Sequence, residues 1–251
     1  VTAAPRKDAP ASDPPVFLTA FWRDLAMLNF EADPELLAPY VPAGTRLDAY
    51  EGRTLVSIVG FMFFETRVAG LAIPGHRTFE EVNLRFYVRR ESSGQRRRGV
   101  VFLKELVPLR AVAWTARAFY GERYEAVTMR HDQVEKDRQR SVIYEWTRKS
   151  ARGRIALTTA GPPSDLVEGS EEEFITDHAW GYVARHGRQS LEYRVDHPRW
   201  RIWKASSVEF DCDAEAFYGA ALAPILDRPP VSAYLAEGSE VAVRRGRTID
   251  A

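Results

Sequence analysis

Residues 78–91 read TFEEVNLRFYVRRE, and the way this stretch alternates decides what kind of fold holds it. Val82, Leu84, Phe86 and Val88 recur at every second position, the period of a half-buried strand and not the 3.6-residue period of a helix. The other parity carries Phe79, Glu81, Asn83, Arg85 and Tyr87, so that an acid, an amide and a guanidinium lie between two aromatics. Such a row is either a solvated face or the wall of a pocket, and the alternation alone leaves both readings open.

The flanking segments extend the strand reading. Residues 16–30, VFLTAFWRDLAMLNF, are mainly strand-like, with Arg23 and Asp24 in their middle. In DPELLAPYVPAG, Asp33 is placed to cap a short helix whose first position is Pro34. Glu51 and Gly52 separate two strand-like runs as a hairpin turn would, and the nearly unbroken apolar run 55–64 predicts a strand covered on both faces. On the other side, ESSGQRRRG reads as a polar loop in which Arg96, Arg97 and Arg98 form a solvated hairpin tip, followed by the strand GVVFLKELV. RAVAWTARAFYG places Val112, Ala116 and Phe119 on one helical face and ends at Gly121. RYEAVTMRHD, RQRSVIYEWT and RIALTTAG read as a meander, with ARG at 151–153 as a turn. Ser170 and Glu173 form a capping box at the start of another short helix. Three strands broken by HGR and HPR follow, then DAEAFYGAALAPI as a helix capped by Asp213, then two short strands around VSAYLA and EVAVRR. About ten strands and three or four short helices, without regular strand-helix alternation, predict an α+β fold that is mainly antiparallel β.

A chain of 251 residues fits one large domain, taken as 16–251, after a leader at 1–15 whose Pro, Ala and Asp content predicts disorder. The 35 basic and 35 acidic residues balance, which argues against nucleic acid or an acidic membrane surface as partner and leaves a small-molecule ligand. No apolar run reaches the length of a membrane span. Cys212 is the only cysteine, so neither an intramolecular disulfide nor a cysteine-rich zinc site can form, and a cytoplasmic location is expected. There is no Gly-rich phosphate loop, G-x-S-x-G elbow or H-E-x-x-H pair, and His76, His131, His178, His186 and His197 are scattered. No metal and no cofactor is therefore expected. Lysines are few: Lys7, Lys104, Lys136, Lys149 and Lys204. Lys104 shares parity with Val100 and Phe102, so it is either a desolvated amine beside a pocket or a strand-end lysine whose head reaches water.

Six segments carry a resemblance. They are the W-x-D-L of residues 22–25, the DPELLAPYVPAGTRLDAYEGR block, the F-x-E-x-N-x-R-x-Y-V row of 79–88, AWTARAFYG, HPRW at 197–200 and PPVSAYLA at 229–236. In this order they resemble the uncharacterised bacterial YqjF-like family, a domain of unknown function similar in fold to acetoacetate decarboxylase. The resemblance implies a single domain dominated by a cone-shaped, barrel-like β-structure around a small-ligand pocket. It implies that Glu81 faces that pocket; by period Asn83 and Arg85 then point the same way, with Tyr87 at the rim. The decarboxylases form a Schiff base through a lysine in a G-x-P-K-K turn after the helix. Here that turn is GERYE at 121–125, and Tyr124 stands where the lysine would be. A phenol cannot form an imine, so Schiff-base acetoacetate decarboxylation is not expected. Two functions fit. One is a lysine-independent enzyme acting on a small carbonyl or carboxylate compound, with Glu81 as general acid or base, Tyr124 as proton donor and Arg85 or Arg117 holding the anion, beside Asn83. The other is a non-catalytic binding module using the same groups to orient a ligand. Either way Glu81, Arg85, Arg117 and Tyr124 are expected on one cavity, with Glu81 either hydrogen-bonded or ion-paired, an arginine being the favoured partner.

Overall fold

The computed structural model describes residues 13–92, 94–114, 121, 123–136, 139–185 and 189–250. Within them fifteen strands join one hydrogen-bonded sheet, twelve of them along a single path with β2, β4 and β7 beside it. In chain order they are β1 (Val16–Glu31), β2 (Arg46–Leu47), β3 (Leu55–Val68), β4 (Leu71–Ala72), β5 (Phe79–Ser92), β6 (Gln95–Val107), β7 (Tyr124–Ala126), β8 (Thr128–Lys136), β9 (Gln139–Arg148), β10 (Ala151–Thr159), β11 (Trp180–Ala184), β12 (Gln189–Asp196), β13 (Ile202–Cys212), β14 (Ser232–Arg244) and β15 (Arg247–Asp250). The path runs β15, β12, β11, β6, β5, β3, β1, β14, β13, β10, β9, β8. Most pairs are antiparallel, while β6 pairs in parallel with β7 and with β11. Because β12 also pairs with β14, Val195 opposite Val243, the run from β12 through β11, β6, β5, β3, β1 and β14 returns to its first strand as a ring.

The residues of 78–91 lie in the middle of this arrangement, and both of their faces are buried, a choice the alternation alone left open. Val82, Leu84, Phe86 and Val88 belong to an apolar cluster shared with Val142, Tyr144 and Trp146 of β9 and Ile155 and Leu157 of β10. The meander β8, β9, β10 therefore covers the outer face of β1, β3 and β5. Gly60 of β3 permits this close approach, since a Cβ there would lie 2.7 Å from the Tyr144 ring. The opposite face joins a second cluster with Leu25, Met27, Val59, Phe61, Phe63, Phe79 and Tyr87, closed by Phe174, Ile175 and Trp200. The solvated-face reading of Glu81, Asn83 and Arg85 is thus overturned: they are 2%, 2% and 8% exposed.

Local expectations held where a side chain fixes the backbone. Asp33 accepts from the Glu35 amide at 2.9 Å and opens the helix Pro34–Leu37. Ser170 accepts from the Glu173 amide at 3.2 Å, although the Glu173 carboxylate returns to the Gly169 amide and not to Ser170. Elsewhere tertiary pairing changed the outcome. Tyr50 and Arg53 exchange backbone bonds around Glu51 and Gly52 as in a tight turn, but β2 pairs with β5 instead of β3, so no hairpin forms there. The segment 213–225 is two helices, Ala214–Tyr218 and Ala223–Leu226, because Gly219 breaks it at φ 85; the Asp213 carboxylate accepts from the Arg152 amide instead of capping. Residues 151–153 lie inside β10, the turn falling at 149–150. The last two strands are one, β14, bent at Gly238, where φ is 76 and a Cβ would come within 2.0 Å of the Trp22 carbonyl. Arg97 and Arg98 are not a solvated tip: Arg97 pairs with Glu192 and Arg98 with Asp48. The helix expected over 110–120 is described only for 110–114, so Ala116 and Phe119 lie outside the described residues, as do 1–12 of the leader.

Candidate functional site

A cavity of about 260 Å³ lies within the ring. Its lining follows strand alternation with three breaks. Inward positions step from Trp22 to Leu25 on β1, from Phe63 to Thr66 on β3 and from Phe102 to Glu105 on β6, three residues where a regular strand takes two. Asp24 and Glu65, at φ 56 and 52, mark the first two, and a register shift against β5 marks the third, Leu84 opposing Lys104 while Arg85 opposes Phe102. These are β-bulges, which bend a strand and change its parity.

The third bulge settles Lys104. Its parity with Val100 and Phe102 is cancelled at Leu103, so Glu105 takes the inward place and Lys104 turns away to pair with Glu125 at 2.5 Å. Burial alone would push the Glu125 carboxyl up, but the hydrogen bonds from Lys104 and Arg148 prevail and hold it below the usual range. No lysine lines the cavity among the described residues.

Between 79 and 87 β5 has no such break, and Phe79, Glu81, Asn83 and Arg85 all line the cavity. Register carries the polar patch sideways: Asn83 opposes Glu105 on β6, which opposes Tyr124 on β7. Tyr124 Oη donates to Glu81 Oε2 at 3.0 Å and Asn83 Nδ2 to Glu81 Oε1 at 3.1 Å. The expected arginine partner of Glu81 is absent among the described residues. Arg85 acts on it only through space and instead donates from Nη2 to the Ile175 carbonyl at 3.2 Å, near the C-terminal end of the helix Glu171–Thr176, where a cation is favoured. Two buried atoms of these side chains, Asn83 Oδ1 and Arg85 Nε, have no partner among the described residues.

Burial pushes the Glu81 carboxyl up to about 7, against the opposing pull of the Asn83 and Tyr124 hydrogen bonds and the Arg85 charge. His178, also on the cavity wall, is held well below the usual histidine range by burial and by the Arg98 and Arg85 charges, so it stays neutral. Tyr87 points inward as its parity requires but does not reach a rim. It is 1% exposed, shares a 2.5 Å hydrogen bond with Ser57 and lies under Phe174 and His178.

Of the residues singled out in the sequence, Glu81, Asn83, Arg85 and Tyr124 meet on one cavity; Arg117 lies outside the described residues. The sequence reading missed Glu105, Thr176 and His178. Glu105 was hidden by the bulge, and the other two arrive on the cavity by a long-range closure that no local pattern encodes.

A family model described as an uncharacterized conserved protein, DUF2071, matches residues 19–240. The chain belongs to this family. A curated relative, the uncharacterized protein YqjF of Bacillus subtilis (strain 168), is 30% identical over 187 residues, covering 74% of this chain and 75% of that protein. The fold is similar to that of acetoacetate decarboxylase from Legionella pneumophila, at a TM-score of 0.65 and 12% identity over 98% of this chain and 92% of that one. It is also similar to the enduracididine biosynthesis enzyme MppR in complex with pyruvate, at a TM-score of 0.65 and 13% identity over 96% and 93% of the two chains. At such identities the likeness is one of fold. In this DUF2071 protein the polar patch is built from carboxylates, an amide, a phenol and a guanidinium, a set suited to anion binding and proton transfer.

Proposed function

We propose that residues 16–251 act as one domain whose ring of strands is the cone-shaped barrel of the decarboxylase-like fold, and that its cavity binds a small carbonyl or carboxylate compound and moves a proton on it without a lysine. The observation that carries this reading is Glu81: a buried carboxylate in a cavity, bonded by Asn83 and Tyr124, with the unsatisfied Arg85 Nε two positions along the same strand. A proton acceptor that titrates near neutrality is matched to general acid-base work. That the similarly folded MppR forms a complex with pyruvate supports the ligand class.

In the proposed step the ligand carboxylate sits on Arg85, with Arg117 as the second anion-binding candidate. The Glu81 carboxylate takes a proton from the carbon beside the ligand carbonyl, the C–H electron pair forms the C=C bond as the C=O π pair moves onto oxygen, and the Tyr124 hydroxyl donates a hydrogen bond to the resulting enolate. Returning the proton from Glu81 to carbon restores the ligand. In D₂O the methyl protons of pyruvate should therefore exchange with solvent in the presence of the protein, followed by proton NMR. We expect the exchange rate to rise as pH passes through about 7, where Glu81 ionises, and to fall at least 100-fold in Glu81→Gln. Binding without exchange would favour the non-catalytic module, in which the same groups only orient the ligand.

A further inference from the structure

The cavity carries its carboxylates on one wall and aromatic and aliphatic side chains over much of the rest. Glu81, Asn83, Arg85, Glu105 and Tyr124 come from adjacent positions on β5, β6 and β7. Around them stand Trp22 of β1, Phe61 and Phe63 of β3, of which Phe61 lies beside Glu81 in register, and Trp200, Val195 of β12 and Val243 of β14. The rings lock one another: Trp22 meets Phe61, Phe63 and Trp200 edge to face at 5.4, 5.9 and 6.2 Å. Such mutual packing fixes the shape of this wall, as in a pre-formed binding surface.

Size points the same way. An apolar cavity of roughly 150 Å³ admits benzene, and this one measures about 260 Å³. A three-carbon acid seated on Arg85 would leave the aromatic wall facing space that water fills poorly for want of hydrogen-bond partners. The apolar lining also continues outward to Ile73, which is 46% exposed, so an apolar ligand would meet apolar surface on its way in.

We infer that the ligand of this cavity has two ends, a carboxylate or carbonyl head at the β5, β6 and β7 wall and an aryl-sized apolar tail against the ring of aromatics. The inference rests on the proposed anion role of Arg85 and adds the tail to it. Each methylene buried in such a wall raises affinity about fourfold, and a phenyl group correspondingly more.

The test is calorimetric titration of the full chain with pyruvate, phenylpyruvate and the uncharged 3-phenylpropan-1-ol. We expect phenylpyruvate to bind at least 30-fold more tightly than pyruvate and at least tenfold more tightly than the alcohol. The variant Val195→Phe, with an unchanged melting temperature as the check on folding, should weaken phenylpyruvate at least tenfold by filling the tail space. Equal affinity for pyruvate and phenylpyruvate would overturn the tail while leaving the head reading intact. Equal affinity for phenylpyruvate and the alcohol would overturn the two-ended ligand, leaving only an apolar cavity. Failure of both acids to bind would remove the anion reading of Arg85 and this inference with it.

Discussion

Glu81 carries most of the chemistry assigned to this protein, and its burial has a thermodynamic signature independent of any ligand. In the folded chain it keeps its proton up to about pH 7, because burial penalises the carboxylate, whereas the unfolded chain releases it near the ordinary value of 4.5. A folded-state pKa raised in this way contributes stability that is complete below about pH 4.5, declines as pH rises and is gone above about 7. Glu81→Gln cannot titrate. Its stability relative to the natural chain should therefore grow by about 3 kcal/mol between pH 4.5 and 7.5, read from urea unfolding at the two pH values; a gap that stays constant with pH would show that Glu81 is not held protonated by its surroundings. The inward row of Glu81, Asn83 and Arg85 was legible in the sequence because nothing interrupts the two-residue period between 79 and 87. Lys104 and Glu105 were not, because the bulge at Leu103 exchanges their sides and no glycine or proline announces it. Of the two expectations for Glu81, hydrogen bonding holds and the favoured arginine pairing does not: Asn83 and Tyr124 bond its two oxygens, and among the described residues Arg85 makes no ion pair with a carboxylate.

Among the elements, β5 and β6 are tied to β12 and β15 by one buried carboxylate. Glu192 accepts from Arg90, Arg97 and Arg247 at 3.2, 2.9 and 2.6 Å and from Tyr182 of β11 at 3.2 Å. Burial opposes its ionisation, but the bonds and charges of Arg247, Arg97 and Arg90 outweigh that and hold its carboxyl below the usual range. Removing it leaves three cations facing one another where the ring passes from β6 through β11 to β12. Glu192→Ala should cost about 3 kcal/mol in urea unfolding, the lower end for breaking a buried pair because the arginines are partly exposed; a loss under about 1 kcal/mol would mean that the ring does not depend on this contact. This network explains why Arg97, expected in a solvated tip, is instead held in an ion pair: its partner lies 95 residues away, beyond the reach of any local pattern. Elements governed by their own caps, such as those at Asp33 and Ser170, were legible. The break at Gly219 and the bend at Gly238 were not, since a glycine permits a positive φ without requiring it.

For the whole molecule, strand content and the absence of strand-helix alternation give a mainly antiparallel α+β fold. Closure of the path through β12 and β14 depends on pairing between distant strands, and only the resemblance to a known fold anticipated an interior with a pocket. Among the described residues no helix is long and apolar enough to cross a membrane. As proposed, Arg85 holds an anion on the cavity wall and is not merely a brace of the ring. The measurement that tests this most directly is the melting temperature of the natural chain and of Arg85→Met, each with and without pyruvate at a concentration that saturates the natural chain. Saturation about 100-fold above the dissociation constant is worth about 2.7 kcal/mol, or a rise of about 5 °C or more for a chain of this size. This rise should disappear in Arg85→Met while the unliganded melting temperature moves by no more than about 2 °C. An unliganded melting temperature lowered by about 8 °C or more, with the pyruvate-induced rise retained, would contradict it and make Arg85 a structural brace.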